Sequence, residues 1–97
     1  MTTYHITHQH SAENCYGPPN EDVETVALWK QIGKNAEENN VDIKYFVLNP
    51  SLHTFFLLLE AEDYLDIEKT IGQCKKTGHL SITPVVDVVH TPLNPFS

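Results

Sequence analysis

The stretch Phe55-Phe56-Leu57-Leu58-Leu59 constrains this chain more than any other. Successive side chains of a β-strand point to opposite faces, so a run that is apolar at both parities needs cover on both sides. Such a strand belongs in the interior of a sheet, and it reads as a strand over residues 53–62, entered from the turn Asn49-Pro50-Ser51.

The remaining elements group around it. Residues 3–10 are rich in the β-formers Tyr4, Ile6 and Thr7 and read as the first strand. Gly17-Pro18-Pro19-Asn20 interrupts regular structure, and Asn20 then serves as N-cap of a helix that runs to about Asn39. Leu28, Trp29, Ile32 and Ala36 recur on its inner stripe, and Asn39-Asn40 is its stop. Residues 41–48 read as the second strand, with Val41, Ile43, Tyr45 and Val47 on one side and Asp42, Lys44, Phe46 and Leu48 on the other. A second helix over 63–77 turns Tyr64, Ile67, Ile71 and Cys74 inward and ends at Gly78 as its C′ glycine. Residues 79–89 form the fourth strand, which Pro84 confines to a sheet edge or a bulge.

The order β-α-β-β-α-β predicts an α+β fold of the ferredoxin-like kind, an antiparallel four-stranded sheet in the order 4-1-3-2 with both helices on one face. Residues 1–90 are expected to form a single domain and 91–97 a C-terminal tail. Two helices cover one face of the sheet, whereas the third strand asks for cover on both. A second copy of the chain supplies that cover most simply, so the expected assembly is a homodimer that closes a dimeric α/β barrel.

Charge narrows the function classes. Thirteen carboxylates face six lysines, arginine is absent, and the net charge of the 97 residues is −7. Phosphate binding relies on Lys and Arg clusters, so nucleic acid is not the expected partner. The glycines are isolated, which argues against a phosphate-cradling loop and a nucleotide cofactor. No apolar run approaches the roughly 20 residues that span a bilayer, so no membrane partner is expected. Cys15 in a loop and Cys74 on the inner face of a helix are poorly placed to pair, and reduced thiols fit a cytoplasmic protein.

The most chemically loaded stretch is Thr7-His8-Gln9-His10-Ser11-Ala12-Glu13-Asn14-Cys15. On a strand, His8 and His10 share a face at about 7 Å, a workable bite for one ion, and Glu13 and Cys15 follow the strand end. With strands one and three taken as parallel neighbours, and strand four antiparallel beside strand one, Glu60 and His79 are expected near the same end. The predicted metal residues are therefore His8 and His10, with Cys15, Glu13, Glu60 or His79 completing the site. This donor set suits a divalent transition metal such as zinc, nickel, copper or iron, held for sensing, storage or stability rather than turnover. No catalytic residue is assigned. In one alternative, a small-molecule enzyme of the monooxygenase or isomerase type holds an apolar ligand between facing sheets, in a pocket of Tyr4, Phe56 and Leu58. In another, the chain is a structural or interaction module whose histidines only bond loop carbonyls. His53 is expected at the opposite end of strand three from His8, His5 is expected toward the helices, and Cys74 reads as a buried, inert thiol.

Four stretches stand out for a resemblance: the Thr-His-x-His-x-x-Glu-x-Cys pattern of residues 7–15, His53-Thr54-Phe55-Phe56, Glu60-Ala61-Glu62-Asp63-Tyr64 and Ile82-Thr83-Pro84-Val85-Val86. Together these resemble an uncharacterised family of small proteins in the dimeric α/β-barrel group of the ferredoxin-like fold, over residues 3–89. The resemblance implies the fold and the dimer. It implies no single activity, since proteins of this fold include binders of nickel and other divalent metals, haem binders and cofactor-free monooxygenases.

Overall fold

A computed structural model of the chain describes residues 2–10 and 23–89. The elements run β1 (Thr2–Gln9), α1 (Val23–Lys30), α2 (Ile32–Glu38), β2 (Asp42–Asn49), β3 (Thr54–Ala61), α3 (Tyr64–Ile71), a 3-10 helix (Gly72–Thr77) and β4 (His79–Val85). The sheet has four strands in the order β2-β3-β1-β4, which is the expected ferredoxin-like order read from the other edge. Within one chain the sheet is open, with β2 and β4 as its edges.

Every neighbouring pair is antiparallel, including β1 with β3. This corrects the expectation of parallel neighbours. A helical crossover makes β2 run with β1, and the β2–β3 hairpin then reverses the chain, so β3 must oppose β1.

The helices cover the face carrying Tyr4, Ile6 and His8, which lie directly opposite Leu59, Leu57 and Phe55 of β3. Residues directly opposite in a pair share a face, so one alternation pattern serves both strands. Onto it pack Trp29 from α1, Ile32 and Ala36 from α2, Ile67 and Ile71 from α3 and Cys74 from the 3-10 helix. The expected first helix is interrupted at Gln31, although the Asn35 N–H still bonds the Gln31 carbonyl at 2.9 Å. Its stop is where the sequence placed it: Asn40 takes φ 56°, the left-handed conformation that asparagine tolerates.

Beyond Ile71 the expected single helix tightens into a 3-10 turn that starts at Gly72, the weaker helix former of the pair Gly72-Gln73. A second local departure is a bulge in β2 between Ile43 and Tyr45, so the alternation expected for that strand changes phase. Ile43 and Phe46 therefore both lie on the helix face, opposite Leu59 and Leu57, while Tyr45 and Val47 lie on the open face, opposite Leu58 and Phe56. β4 ends at Val85 rather than near Val89, and Pro84 sits within it at the sheet edge, where a missing N–H leaves no ladder bond unmade on the solvent side.

Candidate metal centre

His8 is the centre of the site and is fully buried (0% exposed). The strand alternation that carries Tyr4 and Ile6 into the core carries this imidazole with them. Trp29 meets it edge-on with ring centroids 4.6 Å apart, and Trp29 itself stacks on Phe55 at 4.1 Å. The 3-10 helix supplies the polar contacts. His8 Nε2 lies 3.1 Å from the Cys74 carbonyl and 2.8 Å from Thr77 Oγ1. The Thr77 hydroxyl donates to that same carbonyl at 2.8 Å. With the Thr77 hydroxyl given to that carbonyl, both neighbours of Nε2 are acceptors, the arrangement in which Nε2 carries the proton and Nδ1 presents its lone pair. Nδ1 has no hydrogen-bond partner among the described residues, and neither does the buried Trp29 Nε1.

Gly78 makes this approach possible. A Cβ there would lie 2.5 Å from the Gln9 carbonyl oxygen and 2.7 Å from His8 Cε1. Gly78 is extended, at φ 167°, and not in the left-handed conformation expected of a C′ glycine. It is needed for space and not for an unusual dihedral angle.

His10 is also buried, with its ring 6.1 Å from that of His8 and 5.2 Å from that of His53. Its backbone N–H donates to the His53 carbonyl at 3.2 Å. The expectation that His53 lies at the far end of β3 is thereby overturned, because antiparallel pairing brings the start of β3 to the end of β1. Glu60 moves the other way. It lies opposite Thr3, accepts the Thr3 hydroxyl and pairs with Lys44 at 3.4 Å. Five strand positions separate it from Phe55, the residue opposite His8, or about 17 Å.

His79 lies opposite Gln9, so the strands do bring it to this end, but on the open face, where it is exposed and bonds Ser81 at 3.3 Å. His5 is opposite Leu58 and Thr83 on the open face, not toward the helices. Tyr4 lies on the helix face, whereas Phe56 and Leu58 lie opposite Thr7 and His5 on the open face, so these three residues do not line one cavity within a chain. Glu13, Cys15 and the loop around them lie outside the described residues. Among the described residues, no group of three or more His, Cys, Asp or Glu side chains is arranged to hold an ion.

Burial lowers the pKa of His8, helped by the charges that His10 and His79 would carry, and burial followed by His53 lowers that of His10. Both imidazoles are therefore neutral at pH 7, the form in which a nitrogen can bind a metal. The Cys74 thiol, pushed up to about 12 by burial, stays protonated and is no ligand. The same shifts set a pH dependence for folding. The unfolded chain takes up protons at these histidines near their ordinary value of 6.5, before the folded one does. Stability is thus full above about pH 6.5 and falls as the pH drops below it. Metal-free protein is expected to show a lower Tm at pH 5.5 than at pH 7.5, with most of the difference removed in His8→Gln, and an unchanged Tm would contradict the burial described here.

Sequence reasoning missed His53, Thr77, Trp29 and the spacing role of Gly78. Strand direction alone would have found His53. The Thr77 contact has no local signal, since it depends on where a 3-10 turn comes to rest against a strand that begins the chain.

A family model described as Domain of unknown function (DUF3303) matches residues 4–91. No curated protein and no solved structure matches the chain.

Proposed function

The chain belongs to the family described as Domain of unknown function (DUF3303), and because that description names no chemistry, we propose a reading from the residues themselves: a small protein that binds a divalent transition-metal ion through His8 and His10. The observation that carries it is the state of His8. Ligating histidines characteristically donate their second ring N–H to a carbonyl, which fixes the tautomer and orients the other nitrogen. His8 has this arrangement, with Nε2 held by Cys74 and Thr77 and a buried Nδ1 that has no partner among the described residues. A buried lone pair without a donor is costly, and an ion relieves that cost.

Glu13 and Cys15 complete the proposal. Cys15 is five residues beyond His10, a span that reaches at most about 18 Å, so either residue has chain enough to return to the imidazoles. Neutral imidazoles with a thiolate or carboxylate suit zinc, nickel, copper or ferrous iron, and the ion is held rather than turned over. Elemental analysis of untagged protein purified without added metal tests this. Near-stoichiometric metal, lost in the His8→Gln/His10→Gln double variant, is expected. A metal-free wild type whose Tm does not respond to zinc, nickel, copper or iron would refute it.

The proposed assembly is a homodimer, with a second copy over the open face of the sheet and, by that route, a dimeric α/β barrel. Tyr45, Val47, Phe56 and Leu58 form an apolar half of that face, and Val47 is 52% exposed. In a chain of net charge −7, this uncharged patch is where two copies meet with least repulsion. Sedimentation equilibrium is expected to give a dimer for wild type and a folded monomer for Val47→Glu; a wild-type monomer at tens of micromolar removes the barrel. The proposed compartment is the cytoplasm, in keeping with Cys74 as a buried free thiol. No helix among the described residues is long and apolar enough to cross a membrane.

A further inference from the structure

We propose that His53 is a third imidazole ligand of the centre, and that the β2–β3 turn is shaped to deliver it. The inference rests on the metal reading above and extends it to a residue on a different strand.

Two imidazoles that bind one tetrahedral ion at about 2.0–2.1 Å per nitrogen have ring centroids about 5 Å apart. His10 and His53 stand at 5.2 Å in an edge-to-face arrangement, their planes 69° apart, so the centroid separation suits a ligand pair whose nitrogens turn toward a common ion. His8 and His10 stand at 6.1 Å, so this pair must close by about one ångström to share an ion. As they stand, the three imidazoles are not arranged to hold an ion, so binding requires them to move together.

The backbone supplies an independent argument. His53 takes φ 51°, a left-handed conformation that glycine or asparagine adopts at lower cost. The turn is tied down on every side. Asn49 Oδ1 accepts from the Ser51 and Leu52 N–H groups at 3.0 and 3.1 Å, the Thr54 hydroxyl donates to the Leu52 carbonyl at 2.9 Å, and the His53 carbonyl accepts from His10. This network holds residue 53 left-handed whatever its side chain. A histidine there costs the fold something, and what it provides is a half-buried imidazole against His10.

Three imidazole donors also narrow the ion. Magnesium and calcium prefer oxygen donors, so the centre selects borderline ions such as zinc, cobalt, nickel or copper.

The test is titration of the intact wild-type chain, His53→Asn and His53→Gly with Co(II) and Zn(II), following the Co(II) d–d absorption and the fluorescence of Trp29, the single tryptophan. Asparagine and glycine both accept the left-handed turn, so both variants should fold, and metal-free His53→Gly should melt no lower than wild type. The expected result is affinity reduced by more than about tenfold in both, with a Co(II) spectrum changed in position and intensity. If both variants bind like wild type with the same spectrum while His8→Gln does not bind, His53 is no ligand and the two-histidine reading stands. If wild type takes up neither ion, both readings fall together.

Discussion

Trp29→Ala is expected to destabilise the fold by about 3–5 kcal/mol, enough to leave a measurable unfolded fraction in a domain whose total stability is of the order of 5–15 kcal/mol. Trp29 is 7% exposed, stacks on Phe55, approaches Phe46 at 5.9 Å and meets the edge of His8, so it joins α1 to β1, β2 and β3 at once. Truncation opens a cavity beside an imidazole whose position matters to within an ångström. The urea midpoint should fall with an unchanged m-value, and metal affinity should fall with it, because His8 loses the ring that fixes its tilt. Trp29→Phe keeps the stack and should cost much less. A loss below about 1 kcal/mol for Trp29→Ala would mean that this aromatic cluster is not packed as described.

Gly78→Ala is expected to cost about 1–3 kcal/mol, a size typical of added bulk in a packed site. The new methyl would lie 2.5 Å from a backbone oxygen of β1 and 2.9 Å from His8 Nε2, so either the β1–β4 edge opens or the imidazole leaves the Cys74 carbonyl. Either movement spoils the centre, and metal binding should weaken by at least the 10–100-fold typical of a lost supporting hydrogen bond. Gly33→Ala is the matched control. Nothing lies within 4 Å of a Cβ at Gly33, which sits in α2, so the same substitution should stabilise there by about 0.5–1 kcal/mol. Thermal melts of the two variants should move in opposite directions. A neutral Gly78→Ala would show that His8 has more room than its contacts imply.

Much of this architecture was legible because its signals are local. The two-sided run in β3, the shared parity of His8 and His10, the edge position that Pro84 demands and the stop at Asn39-Asn40 each follow from a few consecutive residues. The bulge in β2 was not legible, since Ile43-Lys44-Tyr45 alternates normally in sequence and only the pairing with β3 inserts the extra residue. Nor was the 3-10 turn, whose composition permits an α-helix as readily.

Local pattern settles which residues travel together. Period-two alternation binds Tyr4, Ile6 and His8 into one face of β1, and no packing can separate them without breaking the strand; His10 follows one residue past its end. The sequence also shows that the chain is acidic, lacks arginine and carries its imidazoles near a strand end. Which face that was, and who the neighbours are, came from the packing of the whole chain. The histidines face the helices and not the open side, Glu60 lies at the far end of the sheet, and His53 comes to His10 from about forty residues away. The physical reason is that parity is a property of one strand's pleat, whereas strand direction and the choice of covered face are settled by crossovers, hairpins and the burial of apolar surface from the whole chain.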